Sequence, residues 1–111
     1  MHWALPITDD QAMQGWVVHV DGFGNCITNI DRPKFESLQT QRAFKCYVGN
    51  SILQSRYETY ADASVGDALL IFNSDGYLEV AINRGNASEM LDIKKGASLN
   101  IVFLDDRQTD G

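Results

Sequence analysis

The sequence predicts an all-β domain, a small antiparallel β-barrel or sandwich-like domain with one short helix near residues 86–92. Short runs rich in β-branched and aromatic residues recur every ~8–12 residues, and turn signals separate them. The strand–helix–strand rhythm typical of a parallel sheet is missing from the sequence. With 111 residues, of which 44% are hydrophobic, the chain has the size of one domain and can bury a core.

In the first half of the chain, residues 1–14 read as an extended lead-in without a strong period, and the main domain is expected over 15–104. Residues 34–40 favour a helical turn, which follows Asp31-Arg32-Pro33, where proline ends a strand. Strands are expected where β-branched and aromatic residues cluster between turn residues: 16–20, 26–30, 43–48 and 52–59.

In the second half, the continuous apolar run 68–72 predicts a buried strand, and the alternation over 77–82 predicts another. Residues 86–92 predict the helix, with Asn86 as its N-cap. A last strand is expected over 100–104, and the polar tail 105–111 is expected to fray.

The charge pattern argues against nucleic-acid or membrane partners. The net charge is −6, and the nine Lys and Arg residues are scattered rather than gathered into a basic stripe. No stretch approaches the ~20 apolar residues of a membrane span. Because a secretory signal is lacking, we expect a cytoplasmic protein in which Cys26 and Cys46 are reduced, half-buried thiols.

A catalytic centre is not recognisable in the sequence. The two histidines, His2 and His19, stand in the lead-in and in a strand, with no nucleophile–base pattern around them. Neither cysteine has the spacing of a metal site, and motifs for phosphate or dinucleotide cofactors are lacking. We therefore assign no catalytic residue, no metal ligand and no cofactor.

Two glycine-containing segments concentrate polar groups in a way that favours ligand binding. In residues 21–25, Asp21 offers acceptors for ribose hydroxyls, Phe23 a stacking face, and Asn25 a donor and an acceptor for a purine edge. In residues 83–87, the glycine lets the backbone approach a ligand. Taken alone, the first segment fits an ordinary β-turn better than a binding loop, and the second fits a capped strand-to-helix connection better.

Two ordered motifs give the chain a family resemblance over roughly residues 15–104. Residues 20–30 fit the pattern V-D-x-F-G-N-x-x-T-N-I, and residues 74–87 fit S-x-G-Y-L-E-I-A-x-N-x-G-N-A apart from Val80 at the first isoleucine. Both resemble the C-terminal domain of the S-adenosyl-L-methionine hydroxide adenosyltransferase family, the SAM hydrolases related to fluorinase and chlorinase.

The resemblance implies a function that this chain shares with a second domain. Family members cleave S-adenosyl-L-methionine at the ribose C5′ by attack of water or hydroxide, which yields adenosine and methionine, while the halogenating relatives use halide. They are homotrimers, and each site lies between an N-terminal domain and the C-terminal domain of a neighbouring subunit. The N-terminal domain activates water and has no counterpart in this chain, whereas the C-terminal domain holds the nucleoside.

Carried over by position, Asp21 matches a polar contact to the substrate, and Phe23 and Asn25 match the adenine-contacting pair. Tyr60 matches an aromatic residue that packs on the adenine, and Ser74 a polar contact near the methionine end.

Asn83 and Arg84 match positions that border the adenine, and Glu79 matches a family acid without an assigned role, for which ordering of the pocket is one option. Two functions stay open: part of a SAM hydrolase, or a stand-alone adenosine- or nucleotide-binding or assembly module without catalysis.

Overall fold

A computed structural model describes residues 4–104, and within them nine strands form one sheet that curls into a half-barrel. The strands are β1 (Ile7–Thr8), β2 (Ala12–Val20), β3 (Cys26–Asp31), β4 (Phe44–Val48), β5 (Ser51–Leu53), β6 (Arg56–Tyr57), β7 (Ala68–Phe72), β8 (Tyr77–Ile82) and β9 (Ser98–Phe103). The helices are α1 (Arg32–Gln39) and α2 (Ala87–Met90), and a 3₁₀ turn covers Tyr60–Asp62. The predicted all-β fold is confirmed, while the predicted tail 105–111 lies outside the described residues.

The strands follow the order β5-β4-β9-β2-β3-β8-β7-β6, and β1 pairs with β2. All neighbours are antiparallel except β6 and β7, which run parallel. The two edge strands, β5 and β6, are separated in the chain only by Gln54 and Ser55. The single strand predicted over 52–59 is therefore wrong, because the chain crosses from one edge of the curled sheet to the other within it.

Strand β2 begins at Ala12, four residues before the predicted strand 16–20, and belongs to both halves of the sheet. Its first half pairs with β9 and its second half with β3. Gly15 stands in the middle, where an added Cβ would lie 2.5 Å from Cγ1 of Ile30. The absence of a side chain at Gly15 permits this close approach.

Helix α1 is a complete element, so the prediction of one short helix is corrected to two helices within residues 4–104. A carboxylate oxygen of Asp31 accepts the backbone N–H of Lys34 at 3.0 Å, and Pro33 occupies the first turn. Both features favour a helix start. The residues that were expected only to end a strand also begin this helix.

The main core lies on the concave face of the sheet, with Phe35 of α1 fully buried at its centre. Its ring meets Phe44, Phe72 and Phe103 edge-on at centroid distances of 5.3–5.5 Å. Strands β7 and β8 also have buried residues on the convex face, which form a smaller cluster: Ala63, Leu69, Ile71 and Ala81. The convex face of these two strands is therefore covered too.

The cysteines are unpaired, as predicted, but they are fully buried rather than half-buried. Cys26 and Cys46 are both free and have no exposed surface. Burial, followed by the nearby charges of Asp21 and Glu79, raises the pKa of Cys26 to about 11. Burial raises the pKa of Cys46 to about 12, so both thiols are core residues.

Candidate functional site

The loop between β2 and β3 is held in shape by the carboxylate of Asp21. One oxygen accepts the backbone N–H groups of Phe23 and Asn25, both at 2.9 Å, and the other accepts the Asn25 side-chain amide at 3.1 Å. The Phe23 side chain, 79% exposed, projects from this loop. Because short Asp side chains bond to nearby backbone N–H groups, the loop is ordered by its own sequence.

This loop packs against the connection from β8 to α2. The backbone carbonyl of Gly24, whose φ is +84°, accepts the N–H of Ser88 at 2.9 Å. A Cβ on Gly24 would lie 2.0 Å from Oδ1 of Asn86, which caps α2 by accepting the N–H of Glu89. The two glycine-containing segments that the sequence singled out therefore lie together.

Asn83 and Arg84 follow β8 at the same end of the sheet. The Asn83 amide donates to the carbonyl of Ala63 at 2.7 Å and so ties the 3₁₀ segment to the end of β8. Arg84 has a φ of +60° and an exposed side chain. A non-glycine residue in this region is uncommon and is frequently found at functional sites.

Glu79 lies on the convex face of β8 and is only 6% exposed. Its Oε2 accepts the Tyr60 hydroxyl at 2.8 Å, and its Oε1 accepts the Asn73 side-chain amide at 3.3 Å. Burial, then the hydrogen bond to Glu79, then the charges of Glu79 and Asp21 raise the pKa of Tyr60 well above 10.0. The Tyr60 hydroxyl is therefore held by Glu79, and Asp21 is close enough to influence its pKa.

Ser74 lies at the other end of β8, in the turn from Asn73 to Gly76, and is exposed. In the sheet, Cys26 of β3 lies opposite Val80 of β8. The loop that precedes Cys26 therefore lies near the C-terminal end of β8. The six residues of β8 extend about 20 Å at the usual rise of a strand. Ser74 is therefore separated from the Asp21–Asn25 loop and from Asn83 by the length of one strand, whereas Glu79 lies within that strand.

Two surface concavities are each lined by a residue that donates to Glu79. One has a volume of about 710 Å³, and its walls include Trp16, Ile27, Asn73 and Tyr77. The other has a volume of about 770 Å³, and its walls include Tyr60, Ala63, Asn83 and Arg84. Glu79 accepts a hydrogen bond from Asn73 in the wall of the first concavity and from Tyr60 in the wall of the second.

Within residues 4–104, no three His, Cys, Asp or Glu side chains lie close enough together to hold a metal ion. In the same part of the chain, no helix is long and apolar enough to cross a membrane.

The sequence of residues 15–100 matches the family described as the SAM hydroxide adenosyltransferase C-terminal domain. The chain belongs to this family. Among the curated relatives of this SAM hydroxide adenosyltransferase domain is the (R)-S-adenosyl-L-methionine hydrolase of Thermus thermophilus, 31% identical over 98 residues. That match covers 88% of this chain and 35% of the relative, so the chain spans about a third of the relative's length.

Solved structures share the fold of this SAM hydroxide adenosyltransferase domain. An uncharacterized conserved protein from Thermotoga maritima superimposes with a TM-score of 0.76 at 29% identity, over 92% of this chain and 40% of that one. A conserved hypothetical protein from Thermus thermophilus superimposes with a TM-score of 0.62 at 31% identity, over 82% and 34%. In both cases the domain corresponds to a minor part of a longer chain.

The sequence reasoning missed the part played by Asn73. Its amide binds Glu79, and its Oδ1 accepts the backbone N–H groups of Asp75 and Tyr77, both at 3.0 Å. An asparagine that opens the turn Asn-Ser-Asp-Gly was a usable signal, since asparagine in that position bonds to the backbone ahead of it.

Proposed function

We propose that this domain binds the adenosyl part of S-adenosyl-L-methionine in a SAM hydrolase that forms adenosine and methionine by attack of water or hydroxide at the ribose C5′. One observation carries the proposal: the Asp21–Asn25 loop, Tyr60 and the Asn83–Asn86 connection adjoin one end of β8 in a domain of this family. Polar groups and an exposed aromatic ring at one place suit a nucleoside.

The loop residues have chemical groups that match adenosine. Phe23 offers an exposed ring for stacking on the base. Within residues 4–104, Asn25 uses one amide hydrogen on Asp21, which leaves its carbonyl oxygen and second hydrogen for the purine edge. A carboxylate has about four acceptor positions, and the loop uses three of those on Asp21, so one is left for a ribose hydroxyl.

The other predicted residues enclose the ligand in this proposal. Tyr60 packs on the adenine, Arg84 borders it, and Asn83 holds the adjoining segment through Ala63. Ser74 contacts the methionine end, because an extended ligand that follows β8 reaches its turn.

Catalysis is proposed to require the N-terminal domain of the family, which supplies the groups that activate water. We propose that the complete enzyme is a cytoplasmic homotrimer with the site between subunits. The family resemblance supports this assembly, and the coverage of only 35% of the Thermus thermophilus hydrolase is consistent with a further domain.

The decisive experiment is an amide-resolved NMR titration of the 111-residue chain with adenosine, with inosine as the control ligand. We expect shifts confined to the Asp21–Asn25 loop, Tyr60 and residues 83–87, with a Kd of about 1 mM because half of the site is open. Inosine should bind more weakly, since it lacks the exocyclic amine. Phe23→Ala should weaken binding, whereas Ile52→Ala, at another exposed apolar position, should not.

Absence of shifts at any adenosine concentration would contradict nucleoside binding by this domain. Enzymatic assays then separate the hydrolase from a stand-alone binding module. The chain alone should form no adenosine from S-adenosyl-L-methionine, and addition of the N-terminal domain of the Thermus thermophilus hydrolase should restore turnover. Adenosine binding by the chain without restored turnover of S-adenosyl-L-methionine would favour the stand-alone binding module.

A further inference from the structure

Glu79 is a buried carboxylate whose two oxygens are both bound by side chains of the protein. Tyr60 donates to Oε2 at 2.8 Å, and Asn73 donates to Oε1 at 3.3 Å. None of the ion pairs within residues 4–104 includes Glu79. A buried carboxylate is costly unless its hydrogen bonds are made, so both donors are held firmly in place.

The two donors line different surface concavities. Tyr60 lines the concavity beside Arg84, and Asn73 lines the one beside Tyr77. Asn73 cannot reverse its amide, because its Oδ1 accepts the N–H groups of Asp75 and Tyr77. The Asn73 amide hydrogens must therefore face residue 79.

We propose that Glu79 is a positioning residue that does not touch the ligand. It fixes the Tyr60 ring at the nucleoside end and the Asn73 turn, with Ser74, at the methionine end. One carboxylate thereby links Tyr60 to the Asn73 turn. That Glu79 does not touch the ligand rests on the proposed function. The link that Glu79 makes between Tyr60 and Asn73 does not depend on it.

Glu79→Gln tests this role with a side chain of the same shape. Glutamine has one acceptor oxygen, and the fixed amide of Asn73 takes it. The glutamine NH₂ then faces Tyr60, whose hydroxyl must change from donor to acceptor. We expect the Tyr60 ring to lose its fixed orientation while the fold persists, which a urea unfolding curve will verify.

A double-mutant cycle separates positioning from direct contact. Glu79→Gln and Tyr60→Phe should each weaken adenosine binding about tenfold, as loss of a charge-assisted hydrogen bond predicts. The double variant should lose no more than either single variant, because both changes break the same link. Glu89→Gln, at an exposed carboxylate, should bind adenosine as the wild type does. A further tenfold loss on combining the changes would show direct contact and overturn the proposal.

NMR of ring-labelled tyrosine gives a readout that needs no ligand. The chain has four tyrosines, and Tyr60→Phe identifies the signals of Tyr60 by their loss. In Glu79→Gln, the Tyr60 ring signals and the Asn73 side-chain amide signals should move together. If these signals stay in place, Glu79 does not position either residue. If they move but the wild type binds no adenosine, the proposed function fails and the positioning link stands.

Discussion

At the scale of single residues, the contact between Gly24 and Asn86 shapes the candidate site. Gly24→Ala adds a Cβ within 2.0 Å of the Asn86 amide at a φ of +84°. We expect a loss of about 1–3 kcal/mol in the free energy of unfolding, through strain and displacement of the loop. Urea unfolding measures the loss, and the adenosine titration should show weaker binding.

Gly22→Ala is the matched control for this substitution. Gly22 belongs to the same loop, and an added Cβ there meets nothing within 4 Å. Stability and binding should stay close to those of the wild type. Equal losses at the two glycines would mean that loop flexibility, rather than the contact with Asn86, determines the site.

Segments of the candidate site were recognisable in the sequence where a local turn motif marks them. The segments around Gly24 and Asn86 stood out because glycine, Asp and Asn occur together in turns. The contact between them was not predictable, since it joins residues 62 positions apart in the chain. The hydrogen bond from Tyr60 to Glu79 depends in the same way on how β8 packs against the 3₁₀ turn.

At the scale of elements, the start of α1 depends on its N-cap. Asp31→Ala removes the acceptor for the N–H of Lys34 and should lower the free energy of unfolding by about 1 kcal/mol. Urea unfolding monitored by circular dichroism is the measurement. Asp10→Ala, at an exposed aspartate, is the control for the loss of one negative charge. Equal effects of the two substitutions would exclude the cap as the cause.

Most strands were predictable because their hydrophobic patterns are strong. The runs 68–72 and 77–82 agree with β7 and β8 residue by residue. The start of β2 was missed because Gly15 is a buried position without a side chain, which interrupts the alternation between Met13 and Val17. The hydrophobic pattern of the sequence is insufficient to predict a strand at a glycine that is buried by close approach of another segment.

At the scale of the whole molecule, the buried thiols make stability depend on alkaline pH. Folding raises the pKa of Cys26 from 9.0 to about 11 and that of Cys46 to about 12. The unfolded chain loses these protons first, so stability is full below pH 9.0 and falls as pH rises toward 11 and 12. Urea midpoints should therefore decrease between about pH 9 and about pH 11.

Cys46→Ala tests the cause of this pH dependence. The variant should be less stable throughout, because it leaves a small cavity, but its stability should decline less steeply with pH. An unchanged slope would mean that other groups determine the alkaline behaviour. Tyr60 adds to the decline at higher pH, because its pKa is raised from 10.0.

The curl of the sheet was the feature of the fold that was hardest to predict from the sequence. A barrel and a sandwich were both compatible with the sequence, because the pairing of β9 between β4 and β2 joins distant parts of the chain. No turn or local pattern specifies that pairing. It follows from burial of Phe35 and its ring partners on one face, which only the folded arrangement reveals.

Strand β8 is buried from Leu78 to Ile82 and is paired on both edges, with β3 and β7. Its amide protons should therefore exchange with solvent only when the whole domain unfolds, whereas amides of the Asp21–Asn25 loop, which is exposed at Gly22 and Phe23, exchange through local opening. A single deuterium-exchange experiment on one sample then reports two quantities. The β8 amides give global stability, and the loop amides give the local opening that a bound nucleoside would suppress.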